Sequence, residues 1–311
     1  MTTAGVSVFN LDLNNLVEEA FERCGSELRT GYDLRTARRS LNLMTAEWAN
    51  RGINLWTVEQ GVIPMVTGQA IYPLPVDTVD LMDTVVRQNN GTTNQIDINI
   101  TRIAEPTYMT IPNKLTQGRP IQVWINRQSG AENATDVILA NPGIGIGATD
   151  TTIQLSSTAN LASSGFIKIG NETISYPNIN GNQLINCARG QNNTTAASHL
   201  NGAAITVQNL PCINVWPTPN APGNQYTFVY YRLRRMHDAG EGGTFDQDIP
   251  FRFLPCMVAG LAFYMAQKIP EARPLVPFLK QEYEEQWLIA STEDRDKAPV
   301  RFVPRNMNYF R

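Results

Sequence analysis

The chain predicts an α+β protein: a helical bundle formed by N- and C-terminal helix pairs, a central antiparallel β-sheet region, and an inserted small β domain. Three observations lead there. Apolar residues recur at three- and four-residue steps near both ends of the chain, the helical period. From Leu55 to Arg234 the period is two, the strand period. Within that region, residues 131–208 change character, being rich in Gly, Asn, Thr and Ala and carrying only Lys168 and Arg189 as long basic side chains. At 311 residues the chain has room for two ordinary domains, or for one with a large insertion.

The first helix is read over residues 11–25, where Leu13, Leu16, Val17, Ala20, Phe21 and Cys24 form one stripe and Gly25 supplies a stop. Asp33 is expected to cap a second helix whose seam is Leu34, Ala37, Leu41, Met44 and Trp48, ended by Gly52. Arg35, Arg38 and Arg39 lie off that seam, as a solvated face or as a contact with DNA or a neighbouring subunit. Then come LWTVEQGVIPM, QAIYPLP, TVDLMDTVVRQ and QIDINITRI, strands separated by Gly, Pro and Asn turns. In the last of these Ile96, Ile98 and Ile100 alternate with polar residues, which predicts a sheet with one wet face. PIQVWINRQ (120–128) and CINVWPTP (212–219) read as mates; removing 131–208 would leave them as a hairpin, the kind of exposed tip that tolerates an inserted domain. At the C-terminal end Asp248 and Pro250 open a helix with Phe251, Leu254, Met257, Val258, Leu261 and Met265 facing inward. Pro270 breaks it, and a last helix follows through Leu275, Phe278, Leu279, Tyr283 and Trp287. The domains expected are therefore 1–130 with 209–293, the insert 131–208, and an extended tail 294–311.

The residues offer little chemistry. A net charge of −3 argues against a protein that grips nucleic-acid backbone. Cys24, Cys187, Cys212 and Cys256 are scattered, read as free thiols, and with only His199 and His237 they make no short-spaced metal ligand pair; no metal or cofactor is expected. GIGIGATD (143–150) lacks the full glycine fingerprint and leads into a strand, so a β turn is expected there rather than a phosphate loop. A cysteine nucleophile would need Cys187 beside His199 or His237. Glu18/Glu19, Glu284/Glu285 and the Asp77/Asp80/Asp83 cluster are read as solvated faces, although a peptidoglycan hydrolase needing two facing carboxylates stays as an alternative. The stretch LINCARGQNNTTAASHLNGA (184–203) holds Cys187, His199 and two overlapping N-x-T sequons; it is read as structural, with a turn at Arg189-Gly190, Ala196 and Ala197 packed beneath, and His199 at the rim. The start, MTTAGVSVFNLDL, shows no secretory signal, and the longest apolar run, Cys256 to Ala266, is too short to span a bilayer, so synthesis in the cytosol and no membrane helix are expected.

Four segments together resemble the head-to-tail adaptors of short-tailed phages, the tail accessory or tail-tubular-A-like connectors. They are ARRSLNLMTAEWANRGINLWTVEQ, VTGQAIYPLP, TIPNKLTQGRPIQVWINRQ and INVWPTPNAPGNQYTFVYYRLR, and the resemblance covers roughly 10–130 and 209–295. Residues 151–207 resemble a small β module of phage virion proteins, through GFIKIGNETISY and LINCARGQNNTTAASHLNGAAITV. The resemblance implies a non-enzymatic virion protein of the neck, assembled in the host cytoplasm. It implies a ring homo-oligomer, usually a dodecamer, between the portal protein and the tail nozzle or tail tube protein, with double-stranded DNA passing through the lumen unbound. KAPVRFVPRNMNYFR (297–311) interleaves basic and aromatic residues; Arg301, Phe302, Arg305, Tyr309, Phe310 and Arg311 are the expected portal-docking residues, and Arg35, Arg38 and Arg39 a second interface. A tail adsorption or carbohydrate-binding component is the competing reading.

Overall fold

The computed structural model describes residues 11–27, 31–52, 55–141, 143, 145–222, 225–239 and 247–294. Its helices are α1 (Leu13–Arg23), α2 (Gly31–Arg51), the short α3 (Glu105–Met109), α4 (Leu254–Ala266) and α5 (Val276–Glu293). Contacts divide the chain into two compact units, one from residues 1–57 and 236–311, the other from 58–235.

The first unit is the helical bundle. Helix α4 is its centre: Cys256 to Ala262, Met265 and Ala266 are buried on every side, as befits a helix apolar all round. Leu13, Leu16, Val17, Ala20 and Phe21 of α1, Ala37, Leu41, Met44 and Trp48 of α2, and Leu279 and Tyr283 of α5 complete the same core. Gly260 allows this closeness, since a Cβ there would lie 2.4 Å from Met44 Sδ and 2.8 Å from Tyr283 Cε2. Asp12 caps α1, its Oδ1 accepting from Asn15 N at 2.8 Å, and Gly25 leaves the helix at φ 68°. Two capping expectations are corrected. Helix α2 already runs from Gly31, so Asp33 sits in its first turn rather than at its cap. Pro250 precedes a 3₁₀ turn, Phe251–Phe253, and Asp248 Oδ2 instead accepts from His237 N at 3.0 Å. Because that turn is not yet helical, Phe251 faces out.

The second unit begins with β1 (Val58–Pro64), β2 (Ile71–Pro73), β3 (Thr78–Gln88), β4 (Ile96–Asn99), β5 (Thr101–Ile103), β6 (Gln117–Gly118) and β7 (Gln122–Asn126). The insert supplies β8 (Glu132–Ile138), β9 (Ile153–Gln154), β10 (Gly165–Ile169), β11 (Glu172–Tyr176), β12 (Asn178–Asn180), β13 (Gln183–Ile185), β14 (Ala188–Gln191) and β15 (Ala204–Gln208). The chain then returns through β16 (Cys212–Trp216), β17 (Thr218–Pro219) and β18 (Tyr226–Arg234). Two sheets, β1-β18-β3-β4 and β2-β16-β7-β5, share one core: Val86, Phe228 and Tyr230 from the first, and Val123, Ile125, Ile213 and Val215 from the second. The pairing β7–β16 is antiparallel with Ile125 opposite Ile213, the hairpin read from the sequence; β5 joins β7 in parallel. Strand β4 is an edge, paired only with β3, so Ile96 is exposed although it belongs to the expected apolar face.

Residues 131–208 form the sheet β14-β11-β10-β15-β8 and the smaller β12-β13-β9. Ile167, Ile169, Ile174, Tyr176, Leu184 and Ile205 build a core of their own. Phe166, on the opposite face of β10 from Ile167, joins Ala70, Ile71, Leu210 and Cys212 in a second small cluster that ties the insert to β2 and β16.

Candidate functional site

The stretch that holds Cys187 and His199 folds around a residue the sequence reading did not single out, Glu172. It opens β11 directly after a reverse turn in which Gly170 has φ 58°. Its side chain is 1 % exposed. Among the described residues it accepts five hydrogen bonds. Arg189 Nε and Gly190 N donate to Oε1 at 2.8 and 3.0 Å; Arg189 Nη2, Ala197 N and His199 Nε2 donate to Oε2 at 2.8, 3.1 and 2.7 Å. The proton on His199 is assigned to Nε2 by this network, since a carboxylate oxygen only accepts.

Burial alone would raise the Glu172 pKa, but the donors from Arg189, His199, Ala197 and Gly190 outweigh it and hold the carboxyl at about 2. Arg189 spends its remaining donors on carbonyls: Ala197 O at 2.6 Å, Asp150 O at 3.2 Å, and Gly147 O. The glycine segment of residues 143–150 is thereby drawn into the same place. Ile146 and His199 exchange backbone hydrogen bonds at 2.9 Å in both directions, and at Gly145 a Cβ would lie 1.9 Å from His199 O. The expected β turn is there, and it leads to β9 rather than to a helix.

This arrangement fixes turns. His199 Nε2 is engaged by Glu172, not by Cys187, and burial pushes the Cys187 thiol up to about 12. Burial likewise raises Cys24 to about 11 and Cys212 and Cys256 to about 12; all four are free. His237 is exposed. The turn expected at Arg189-Gly190 comes later: both residues lie inside β14, with Gly190 at φ 61° where the register against β11 shifts, and the chain reverses at Asn192 and Asn193, which take φ 54° and 59°. Thr194 Oγ1 donates to Gln191 O at 2.7 Å and accepts from Thr173 N at 3.0 Å. Ala197 departs from expectation. It is exposed, because its backbone, not its methyl group, is what the network uses.

The carboxylate clusters lie at the surface, and some of their members are ion-paired. Asp80 binds Arg102 and Arg127 at 2.9 and 2.8 Å, Asp77 binds Arg232 at 2.6 Å, and Glu284 binds Arg51 at 2.8 Å. Among the described residues no group of three or more His, Cys, Asp or Glu could hold a metal ion, and no helix is long and apolar enough to cross a membrane.

Of the expected interface residues, Arg35 and Arg39 are exposed on α2 and Arg38 is half-buried. Arg39 Nη2 donates to Thr36 Oγ1 at 3.3 Å, and its charge adds to burial in lowering the pKa of Lys268, whose ammonium donates to Ser40 Oγ at 2.6 Å. Tyr32 and Leu43 are 64 and 62 % exposed, and with Arg35 and Arg39 they fall at helical spacing along one outer face. On α5, Phe278, Leu288 and Ile289 are 67, 66 and 61 % exposed. Leu275 and Phe278 were expected inside; the bundle leaves both uncovered because Leu279 and Tyr283 already fill the α4–α5 seam. Arg301, Phe302, Arg305, Tyr309, Phe310 and Arg311 lie outside the described residues. Neither the family models nor the curated proteins compared with this chain give a match.

Proposed function

We propose that the protein is a structural head-to-tail connector of a tailed bacteriophage, a subunit of a ring between the portal and the tail nozzle through which DNA passes. The observation that carries this reading is the outer surface of the helical bundle. Large apolar side chains stand uncovered on α2 (Tyr32, Leu43) and on α5 (Phe278, Leu288, Ile289), with Arg35 and Arg39 beside the first pair. Exposed apolar patches of this kind belong to proteins that assemble with others, and Tyr, Phe and Arg are the residues that anchor interfaces. The sequence resemblance supplies the finer assignment to portal and nozzle. The near-neutral charge suits a lumen past which phosphates must slide, and the basic–aromatic tail supplies a further docking segment.

The test is to size the purified chain alone and mixed with portal rings at about micromolar concentration, a range in which specific interfaces bind. The wild type is expected to join the ring, and Arg35→Glu combined with Arg39→Glu, or truncation after Lys297, is expected to weaken that binding. A chain that ignores portal rings would overturn the reading.

A further inference from the structure

Strands β7 and β16 alternate between two environments. Val123, Ile125, Ile213 and Val215 face the sandwich core. Trp124 and Asn214 pair across the strands on the other face, as do Asn126 and Cys212. That second face is the floor of a cleft of about 520 Å³, walled by α3 and residues up to Leu115 on one side and by the insert's residues 162–165 and 176–178 on the other. The cleft is preformed. Phe166 is clamped into the cluster with Ile71 and Cys212 at its base, and Tyr176 Oη donates to Ala162 O at 3.1 Å, fixing the far wall.

Three features of this cleft specify a ligand chemistry. The first is aromatic. Tyr108 stacks on Trp124 with centroids 5.2 Å apart, and the Lys114 ammonium lies 5.5 Å above Tyr108. The half-buried Trp124, like Trp287 and unlike Trp48, Trp56 and Trp216, has no hydrogen-bond partner for its indole N–H among the described residues. The second is a set of carboxamides with open capacity. Asn214 is 3 % exposed, yet among the described residues its only side-chain hydrogen bond is the long one from Nδ2 to Cys212 Sγ at 3.9 Å. The side chains of Asn178 and Asn209 have none among the described residues, and both line the cleft. The open atoms of these amides reach the cleft, where a ligand's hydroxyls can pair with them. The third is neutrality. The lining carries one carboxylate, Glu105, and one ammonium, Lys114, which is already held by Ile111 O at 3.2 Å.

We propose that the cleft between the β7–β16 sheet face and the insert binds a short neutral oligosaccharide, with Trp124 as the stacking platform and Asn214, Asn209 and Asn178 as the hydroxyl readers. A pyranose has an apolar C–H face that stacks on an indole and a rim of vicinal hydroxyls that each donate and accept, as carboxamides do. A phosphate ester would call for an Arg fork, and the lining holds no Arg and only the single Lys114. An extended peptide binds sheet edges, and this floor is a sheet face. The volume lies within the range of ligand pockets. The inference is independent of the connector reading, and its test involves no portal.

The experiment titrates the full chain with maltotriose, mannotriose and triacetylchitotriose, each to about 10 mM, by calorimetry and saturation-transfer NMR. At least one is expected to bind with a Kd of about 1 mM or tighter, a modest affinity for a preformed site. Trp124→Ala is expected to weaken it by at least about tenfold, the loss of one good contact. Asn214→Ala tests the buried reader, but it also alters packing. Ser163→Trp, an exposed change on the far wall, therefore blocks the cleft without touching a core. The unfolding midpoint of each variant is measured alongside. Failure of all three sugars to bind would overturn the proposal. So would binding that survives both Trp124→Ala and Ser163→Trp, or equal binding of a neutral tripeptide amide.

Discussion

Two glutamates, one in each unit, show how the same side chain is used to different ends. Glu172 is sealed in the insert, and all its donors come from residues 189–199, three of them on backbone or ring N–H groups of the turn it organises. Glu47 in the bundle is about one third exposed, and its donors come from three helices. They are Arg51 on its own helix at 2.6 Å, Tyr264 Oη on α4 at 2.7 Å, and Tyr283 Oη on α5 at 3.3 Å. Tyr283 Oη in turn accepts from Trp48 Nε1 at 2.8 Å, and the Arg51 guanidinium sits 4.9 Å over both Tyr283 and Trp287. One carboxylate substitutes for regular secondary structure in a turn-rich module. The other joins helices that a shared apolar core already holds. Removing the first orphans a buried guanidinium and two backbone donors; removing the second leaves water able to take its place.

The largest expected effect follows directly. Glu172→Ala should destabilise the second unit by about 3–5 kcal/mol, the usual result of breaking a buried ion pair from one side. Equilibrium unfolding in urea checks it, and an effect below that of Glu47→Ala would break the comparison. Acid should reproduce part of the loss. The folded pKa of Glu172, about 2, is depressed below its ordinary value, so its stabilisation is fully present above about pH 4.5 and disappears as pH falls toward about 2. On the order of 3 kcal/mol is at stake. A midpoint that stays flat across that window, or one that falls equally in Glu172→Gln, would contradict the assignment. Glu47 is also lowered, with burial opposing the Tyr264 and Arg51 donors, but partial exposure discounts it.

Gly190 should rank next. Its φ of 61° and the 3.0 Å approach of a Cβ to Thr194 O and Ala196 N predict a loss of about 1–3 kcal/mol for Gly190→Ala. Glu47→Gln is expected to cost about 1 kcal/mol, with a double-mutant cycle against Tyr264→Phe returning a coupling of about 0.5–1 kcal/mol. Smallest of all, Arg35→Ala should change stability by less than about 0.5 kcal/mol, as surface changes do. Any larger effect of that substitution belongs to assembly, read by ring or portal binding rather than by unfolding.

Legibility in the sequence followed how local each signal was. The seam Ala37, Leu41, Met44 and Trp48 was readable because a helix repeats every 3.6 residues whatever it packs against. The β7–β16 pairing was readable because two strands of matching period flank a change in composition. Phe278 was misplaced because periodicity says which residues share a face, not whether a neighbour covers that face. Glu172 was invisible. A lone acidic residue beside a Gly-Asn turn reads as solvated, and its partners lie 17 to 27 positions away with no period linking them. Trp124 and Asn214 were within strands correctly read, yet only the insert's far wall makes a cleft of the face they share.

The sequence by itself determined the α+β class, the helices at both ends and the strand-rich middle, since each rests on short-range periodicity. Only the tertiary structure decided which carboxylate lost its water, which apolar side chains stayed uncovered, and which sheet face became a cleft. Those outcomes depend on what approaches across space, and desolvation and contact are properties of the assembled neighbourhood rather than of any segment of chain.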